Sequence, residues 1–146
     1  MRARGFTLLE LLVVIAIVGL VLALVPGFLL RDQPVLDLES AARAVAQGLR
    51  QTRSQAMLQN REQIFAIDVE SGRFRPGAQQ SLRQLDRAIA LSLLTARSEA
   101  QGEGGGSIRF FPDGSSTGGR IRLALEQHQA QVSVDWLTGA VAIDGP

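Results

Sequence analysis

Fifteen consecutive residues, Leu11–Val25, carry no polar side chain, inside a longer stretch from Phe6 to Leu30 whose only polar or charged side chains are Thr7 and Glu10. A run without apolar-polar alternation cannot serve as one face of a water-soluble layer and has to be covered on every side. As a helix from Phe6 to Val25 it would extend roughly 30 Å at about 1.5 Å per residue, which matches the hydrocarbon core of a bilayer. Arg2 and Arg4 precede it with no acid beside them, which predicts a cytoplasmic amino end and a C-terminal part on the far side of the membrane. An ordinary secretory signal fits poorly, because the apolar stretch exceeds the usual 7–15 residues and Ala23-Leu24-Val25 is a weak small-x-small site. A plain anchor leaves Glu10 unexplained, since an ionised carboxylate in a spanning helix costs about 2.5–3.5 kcal/mol.

Gly5-Phe6-Thr7-Leu8-Leu9-Glu10 followed by a long apolar helix resembles the type IV prepilin signal shared by type IV pilins and the pseudopilins of type II secretion. The resemblance implies that a prepilin peptidase cuts after Gly5 on the cytoplasmic side and N-methylates Phe6. It also implies that Glu10 of one subunit neutralises the amine of a neighbour's Phe6 when the helices bundle, so that a costly charge becomes a registry device. A Glu10 solvated near the interface, with no partner, is the rival reading.

Past the run, Pro26-Gly27 predicts a kink or a melted turn, and Arg31-Asp32-Gln33-Pro34 marks the membrane exit. Val35, Leu38, Ala42, Val45, Leu49, Thr52 and Ala56 recur at 3-4 spacing, predicting an amphipathic helix that ends near Asn60 and packs its small apolar stripe on a sheet. The period then changes to two. Gln63–Val69 and Arg73–Arg75 read as a hairpin about Glu70-Ser71-Gly72, Ile89–Leu93 as a strand, and Gln101–Gly106 as a flexible loop. Ser107–Phe111, Arg120–Leu125, Gln131–Asp135 and Ala140–Ile143 alternate between turn residues and read as a second antiparallel sheet. The order of elements is α+β: a long N-terminal helix, transmembrane in its first half, with its second half packed on antiparallel β-sheets. The chain divides into a leader at residues 1–5, a transmembrane helix at 6–30 and a periplasmic domain at 31–146.

The C-terminal stretch Ile108-Arg109-Phe110-Phe111-Pro112-Asp113-Gly114, then Gly118-Gly119, Ile121-Arg122-Leu123, Val132-Ser133-Val134 and Leu137-Thr138-Gly139-Ala140-Val141 resembles the GspH/FimT group. That group holds the minor pseudopilin H of type II secretion and the minor pilin FimT, and the likeness implies a pilin-like fold. It is weak only between Gly77 and Gly106.

Fifteen basic residues, all Arg, face fourteen acids; beyond Leu30 the two are balanced at thirteen each, which leaves no net field to steer nucleic acid. With no Cys and one His, disulfides, thiolate chemistry and multi-His metal sites are excluded. Gly104-Gly105-Gly106-Ser107 lacks the Gly-Lys-Ser/Thr of a phosphate loop and reads as a hairpin loop. Asp113-Gly114-Ser115-Ser116 lacks the spaced acids of a calcium loop and reads as a turn. Ser115, Ser116 and Thr117 form no nucleophile elbow, and His128 reads as a solvated turn residue. Trp136 reads as a partly buried cap on the sheet, with contact to a neighbouring subunit as its alternative. No enzyme, cofactor or metal is expected.

Two roles stay open on these residues. The resemblance implies a minor pseudopilin at or near the tip of a short periplasmic filament, anchored in the bacterial inner membrane and assisting export across the outer membrane. Its partners would be the minor pseudopilins I, J and K, the major pseudopilin G, the prepilin peptidase, and through the tip the secretin and exoproteins. The alternative is a FimT-like minor pilin of a type IV pilus gripping DNA through a patch of Arg109, Arg120 and Arg122. The C terminus, apolar and ending in Asp144-Gly145-Pro146, does not supply the basic tail such a role wants.

Overall fold

The computed structural model describes residues 8–29, 33–95 and 104–145. The chain forms two compact units, Met1–Gln33 and Pro34–Pro146. In the first, helix α1 spans Leu8–Leu29. Helix continues through Pro26-Gly27, so the expected melted turn is absent from the backbone. Pro26 stands near the C-terminal end of α1, where its missing N–H removes a single helical hydrogen bond. Side chains are described only from Leu8 to Val21, all exposed. That stretch is shorter than the roughly 17–25 residues a bilayer needs, and among the described residues no helix is long and apolar enough to cross a membrane. The expected ends of the span, Phe6 and Leu30, lie outside the described residues.

The second unit opens with α2, Gln33–Gln59. Pro34 stands in its first turn, where the missing N–H has no helical partner to lose. The helix ends at Asn60, which adopts φ 47° and lets the Arg61 N–H reach the Ala56 carbonyl at 3.2 Å. Leu38, Ala42, Val45, Leu49, Thr52 and Ala56 are buried, as their spacing predicts. The one hydroxyl in this stripe is satisfied locally, Thr52 Oγ1 donating to the Gly48 carbonyl at 2.8 Å.

Eight strands follow: β1 Gln63–Asp68, β2 Arg73–Pro76, β3 Arg83–Gln84, β4 Ala90–Thr95, β5 Gly105–Phe110, β6 Gly119–Leu125, β7 His128–Val134 and β8 Val141–Asp144. They form two four-stranded sheets, ordered β3-β2-β1-β5 and β4-β6-β7-β8, with every pairing antiparallel. The second sheet thus differs from expectation in one exchange. The Ser107–Phe111 segment, expected there, is β5 of the first sheet, paired with β1 through Phe65↔Ile108, while the Ile89–Leu93 segment is β4 of the second, paired with β6 through Leu93↔Ile121. Alternation assigns faces to a strand but is silent about its neighbour. Gly105 and Gly106, expected in a loop, are the first residues of β5.

One core joins the three layers. Phe65, Phe74, Ile108 and Phe110 from the first sheet and Ile121, Leu123 and Val132 from the second are buried with the α2 stripe. Phe65 and Phe74 stack with ring centroids 5.5 Å apart. Gly48 lets α2 approach them closely, since a Cβ there would lie 3.0 Å from Phe65 and 3.1 Å from Phe74.

Candidate functional site

Of the residues singled out at the amino terminus, Glu10 is described and Gly5 and Phe6 lie outside the described residues. Glu10 is the third residue of α1 and the acid of its first turn. A carboxylate there is favoured by the unpaired N–H groups of the helix start. From Leu8 to Leu29 no other charged residue occurs, so Glu10 is the one position on α1 able to make an ionic contact with another chain.

The C-terminal motif proves to be a knot of turns tied to α2. Asp113 accepts from the Ser115 hydroxyl at 2.6 Å and its N–H at 2.9 Å. Asp135 accepts from the Thr138 N–H at 2.8 Å, the Thr138 hydroxyl at 2.7 Å and the Leu137 N–H at 3.1 Å. These bonds favour the ionised form and hold both carboxyls below the usual range, the Ser115 hydroxyl leading for Asp113 and the Thr138 N–H for Asp135. The two turns meet where Gly114, at φ 87°, faces Gly139, at φ 64°; a Cβ on Gly139 would collide with the Gly114 carbonyl oxygen. Arg53 of α2 donates through Nε to that same carbonyl at 3.0 Å, and Arg50, a turn earlier, donates to the Val141 carbonyl at 3.0 Å. Both arginines fall outside the apolar stripe of α2, and their charge alone does not mark this role. Their one signal was position, on the flank of a helix whose stripe meets the sheets.

The remaining candidates are dispersed. His128 is the first residue of β7, paired with Leu125, and not part of a turn; the turn is Glu126-Gln127, with Glu126 at φ 54°. Ser116 is buried and structural, its hydroxyl donating to the Asp135 carbonyl at 3.1 Å. Arg109 is on the first sheet and ion-paired with Glu62 at 2.8 Å, whereas Arg120 and Arg122 are on the second, so the three belong to different sheets. Trp136 is 65% exposed: it packs only its base over Gly118 and does not cap the sheet. It stands at the rim of an open cleft of about 610 Å³ on the second sheet. Among the described residues no group of three metal-ligating side chains converges.

A helix laid on two antiparallel sheets, preceded in the chain by an apolar helix that opens on a single carboxylate, is the architecture of pilin-like subunits. The fold is similar to that of the minor pseudopilin EpsH from the type 2 secretion system of Vibrio cholerae, with TM-score 0.60 and 16% identity, covering 75% of this chain and 98% of that one. It is similar also to the type IV minor pilin FimU of Pseudomonas aeruginosa, with TM-score 0.53 and 15% identity, covering 73% of this chain and 87% of that one. Residues 1–26 match the prokaryotic N-terminal methylation motif, and residues 41–139 match the model of the type II transport protein GspH. The type II secretion system protein H of Xanthomonas campestris pv. campestris is 38% identical over 141 residues, which cover 96% of this chain and 82% of that protein. The chain belongs to the GspH family.

Proposed function

We propose that this chain works as a minor pseudopilin of a type II secretion system, a non-catalytic subunit at or near the tip of the periplasmic pseudopilus. The observation that carries the reading is the 38% identity to a type II secretion system protein H over 96% of the chain; the likeness to a minor pilin is one of fold, and no observation favours the pilus reading or a DNA-gripping role over it. In this reading residues 1–5 are a leader removed by prepilin peptidase after Gly5, and Phe6 is the methylated first residue, which the N-terminal methylation motif supports. Residues 6–30 anchor the chain in the inner membrane. The unbroken apolar sequence Leu11–Val25 supports this, and residues 31–146 stand in the periplasm.

Assembly then follows from the placement of charge. The cationic amine of Phe6 and the carboxylate of Glu10 both lie near the helix start, so staggered helices can pair them between subunits in a setting where neither charge is stable alone. The neighbours are the minor pseudopilins I, J and K and the major pseudopilin G, and the tip faces the secretin and exoproteins. Intact-mass measurement of membrane-extracted protein tests the processing: the expected mass is that of the chain from Phe6 plus one methyl group. A mature chain starting beyond Val25 would establish an ordinary signal peptide instead. Co-purification with pseudopilins, and its absence with pilus subunits, tests the assembly.

A further inference from the structure

The outward face of the second sheet carries two arginines that its own fold leaves unanswered. Ile121 and Leu123 of β6 point into the core, so Arg120 and Arg122 point outward, and both are exposed. Neither forms an ion pair with a described residue. Across the strands, Arg120 is flanked by Leu94 and Ser133, and Arg122 by Ser92 and Gln131. The nearest acid on this face in register is Asp144, opposite Gln131 and so two strands away from Arg122. Asp135 lines the cleft beside Arg120; its Oδ1 takes the three bonds of the Leu137-Thr138 turn, and it forms no ion pair with either arginine.

The same face continues into apolar surface. Two residues before Arg120 comes Gly118, and the Trp136 side chain packs beside it, with its Cβ 3.1 Å from where a Gly118 Cβ would be. Leu94, 68% exposed, closes the other side of the cleft. Outward along β6 the surface therefore reads Arg122 and Arg120 at alternate residues, and just before the strand begins the exposed Trp136 stands beside Gly118. Successive outward positions on a strand are about 6.8 Å apart, and an extended peptide repeats its own side chains at that same distance.

We propose that this face binds an extended acidic segment of a neighbouring protein, of pattern acid-x-acid-x-apolar, its two carboxylates on Arg120 and Arg122 and its apolar side chain against Trp136. Charge complementarity selects the occupant: two guanidiniums that form no ion pair among the described residues favour carboxylates, and the exposed apolar Leu94 and Trp136 beside them exclude a purely ionic ligand. The inference rests on the pseudopilin reading only in taking the neighbour to be a component of the secretion filament or its cargo. The binding itself is measured without a filament, so its failure leaves the processing and assembly tests untouched.

Trp136 is the only tryptophan of the chain and reports directly. Full-length protein in neutral detergent is titrated with a peptide containing Glu-Ser-Glu-Ser-Leu, its reversed sequence, and the Gln-Ser-Gln-Ser-Leu counterpart, with Trp136 emission and calorimetry as readouts. The expected result is a saturable blue shift with one of the acidic peptides, weakened at least tenfold in the Gln peptide. Arg120→Gln and Arg122→Gln should each weaken it at least fivefold, with far-ultraviolet circular dichroism and melting unchanged. Equal binding by the Gln peptide, or by the Arg120→Gln/Arg122→Gln double variant, overturns the proposal. Tighter binding of a single-stranded oligothymidylate at the same salt overturns it in favour of nucleic acid. A tenfold gain in peptide affinity on Glu99→Gln/Glu103→Gln overturns it in favour of the chain's own segment 96–103 as the occupant.

Discussion

At the scale of single residues, the positions with most to say are those where one atom decides the outcome. In the pseudopilin reading Glu10→Ala leaves membrane insertion and cleavage after Gly5 intact, since it removes a charge that a spanning helix resists. Recovery with partner pseudopilins should fall at least tenfold, because a neighbour's amine left without its counter-charge loses on the order of 3–5 kcal/mol in a desolvated site. Equal recovery of both forms in a membrane pull-down would mark Glu10 as a solvated residue without a role in assembly. Gly139 is a different case, settled by space and backbone. Ala at this position meets the Gly114 carbonyl and has to hold φ 64°, so Gly139→Ala should destabilise the fold by about 3 kcal/mol, read as a lowered melting temperature. Leu-Thr-Gly was legible in the sequence as a turn; that its glycine touches a second turn was not, because the contact joins positions 114 and 139 through the fold alone.

At the scale of elements, α2 and the β1-β2 hairpin stand where periodicity places them. The apolar stripe from Leu38 to Ala56 repeats often enough to identify the helix and its buried face. Gly48 makes the contact with the first sheet specific. Gly48→Ala sets a gain of about 1 kcal/mol in helix propensity against crowding of the Phe65 and Phe74 rings and should come out within about 1 kcal/mol of the parent. Gly48→Leu has nowhere to go and should cost about 3 kcal/mol, both by chemical denaturation. If Gly48→Leu melts with the parent, α2 does not seat on the stacked rings as described. The strands were legible one at a time, and their neighbours were not. Ile108 and Phe110 alternate as well for one sheet as for the other, and only the pairing Phe65↔Ile108 decides. His128 escaped because Glu126 adopts a positive φ that a sequence reader assigns to Gly or Asn, which shortens the turn to two residues. Arg50 and Arg53 fall outside the apolar stripe of α2, yet Arg50 donates to a carbonyl of β8 and Arg53 to one in the Asp113-Gly114 turn.

At the scale of the whole molecule, three exposed carboxylates make the fold acid-sensitive in a definite window. Asp68, Asp113 and Asp135 are all held below the ordinary value of 3.8, Asp68 chiefly by the Ser71 N–H. A carboxyl with a lowered value in the folded state binds its proton more readily when unfolded, so its contribution is complete above about pH 4 and is lost as pH falls through the folded values. Thermal melts should therefore be flat from about pH 7 to 5 and decline below 4, and Asp135→Asn should shallow that decline while lowering stability at neutral pH. A melting temperature as high at pH 3 as at pH 7 would contradict the turn geometry. The exchange of β4 and β5 between the sheets has its own outcome. β1 waits for a partner 47 positions on at Gln63↔Phe110, and β4 for one 34 positions on at Ala90↔Ala124, with each sheet's missing strand supplied from inside the other's stretch of chain. The sheets are interleaved along the polypeptide: β4 lies within the first sheet's stretch of chain, so the first sheet closes around a strand whose own partner, β6, comes later. Each long loop has to close before its own pairing is rewarded, and the second unit should fold slowly compared with a chain of local hairpins.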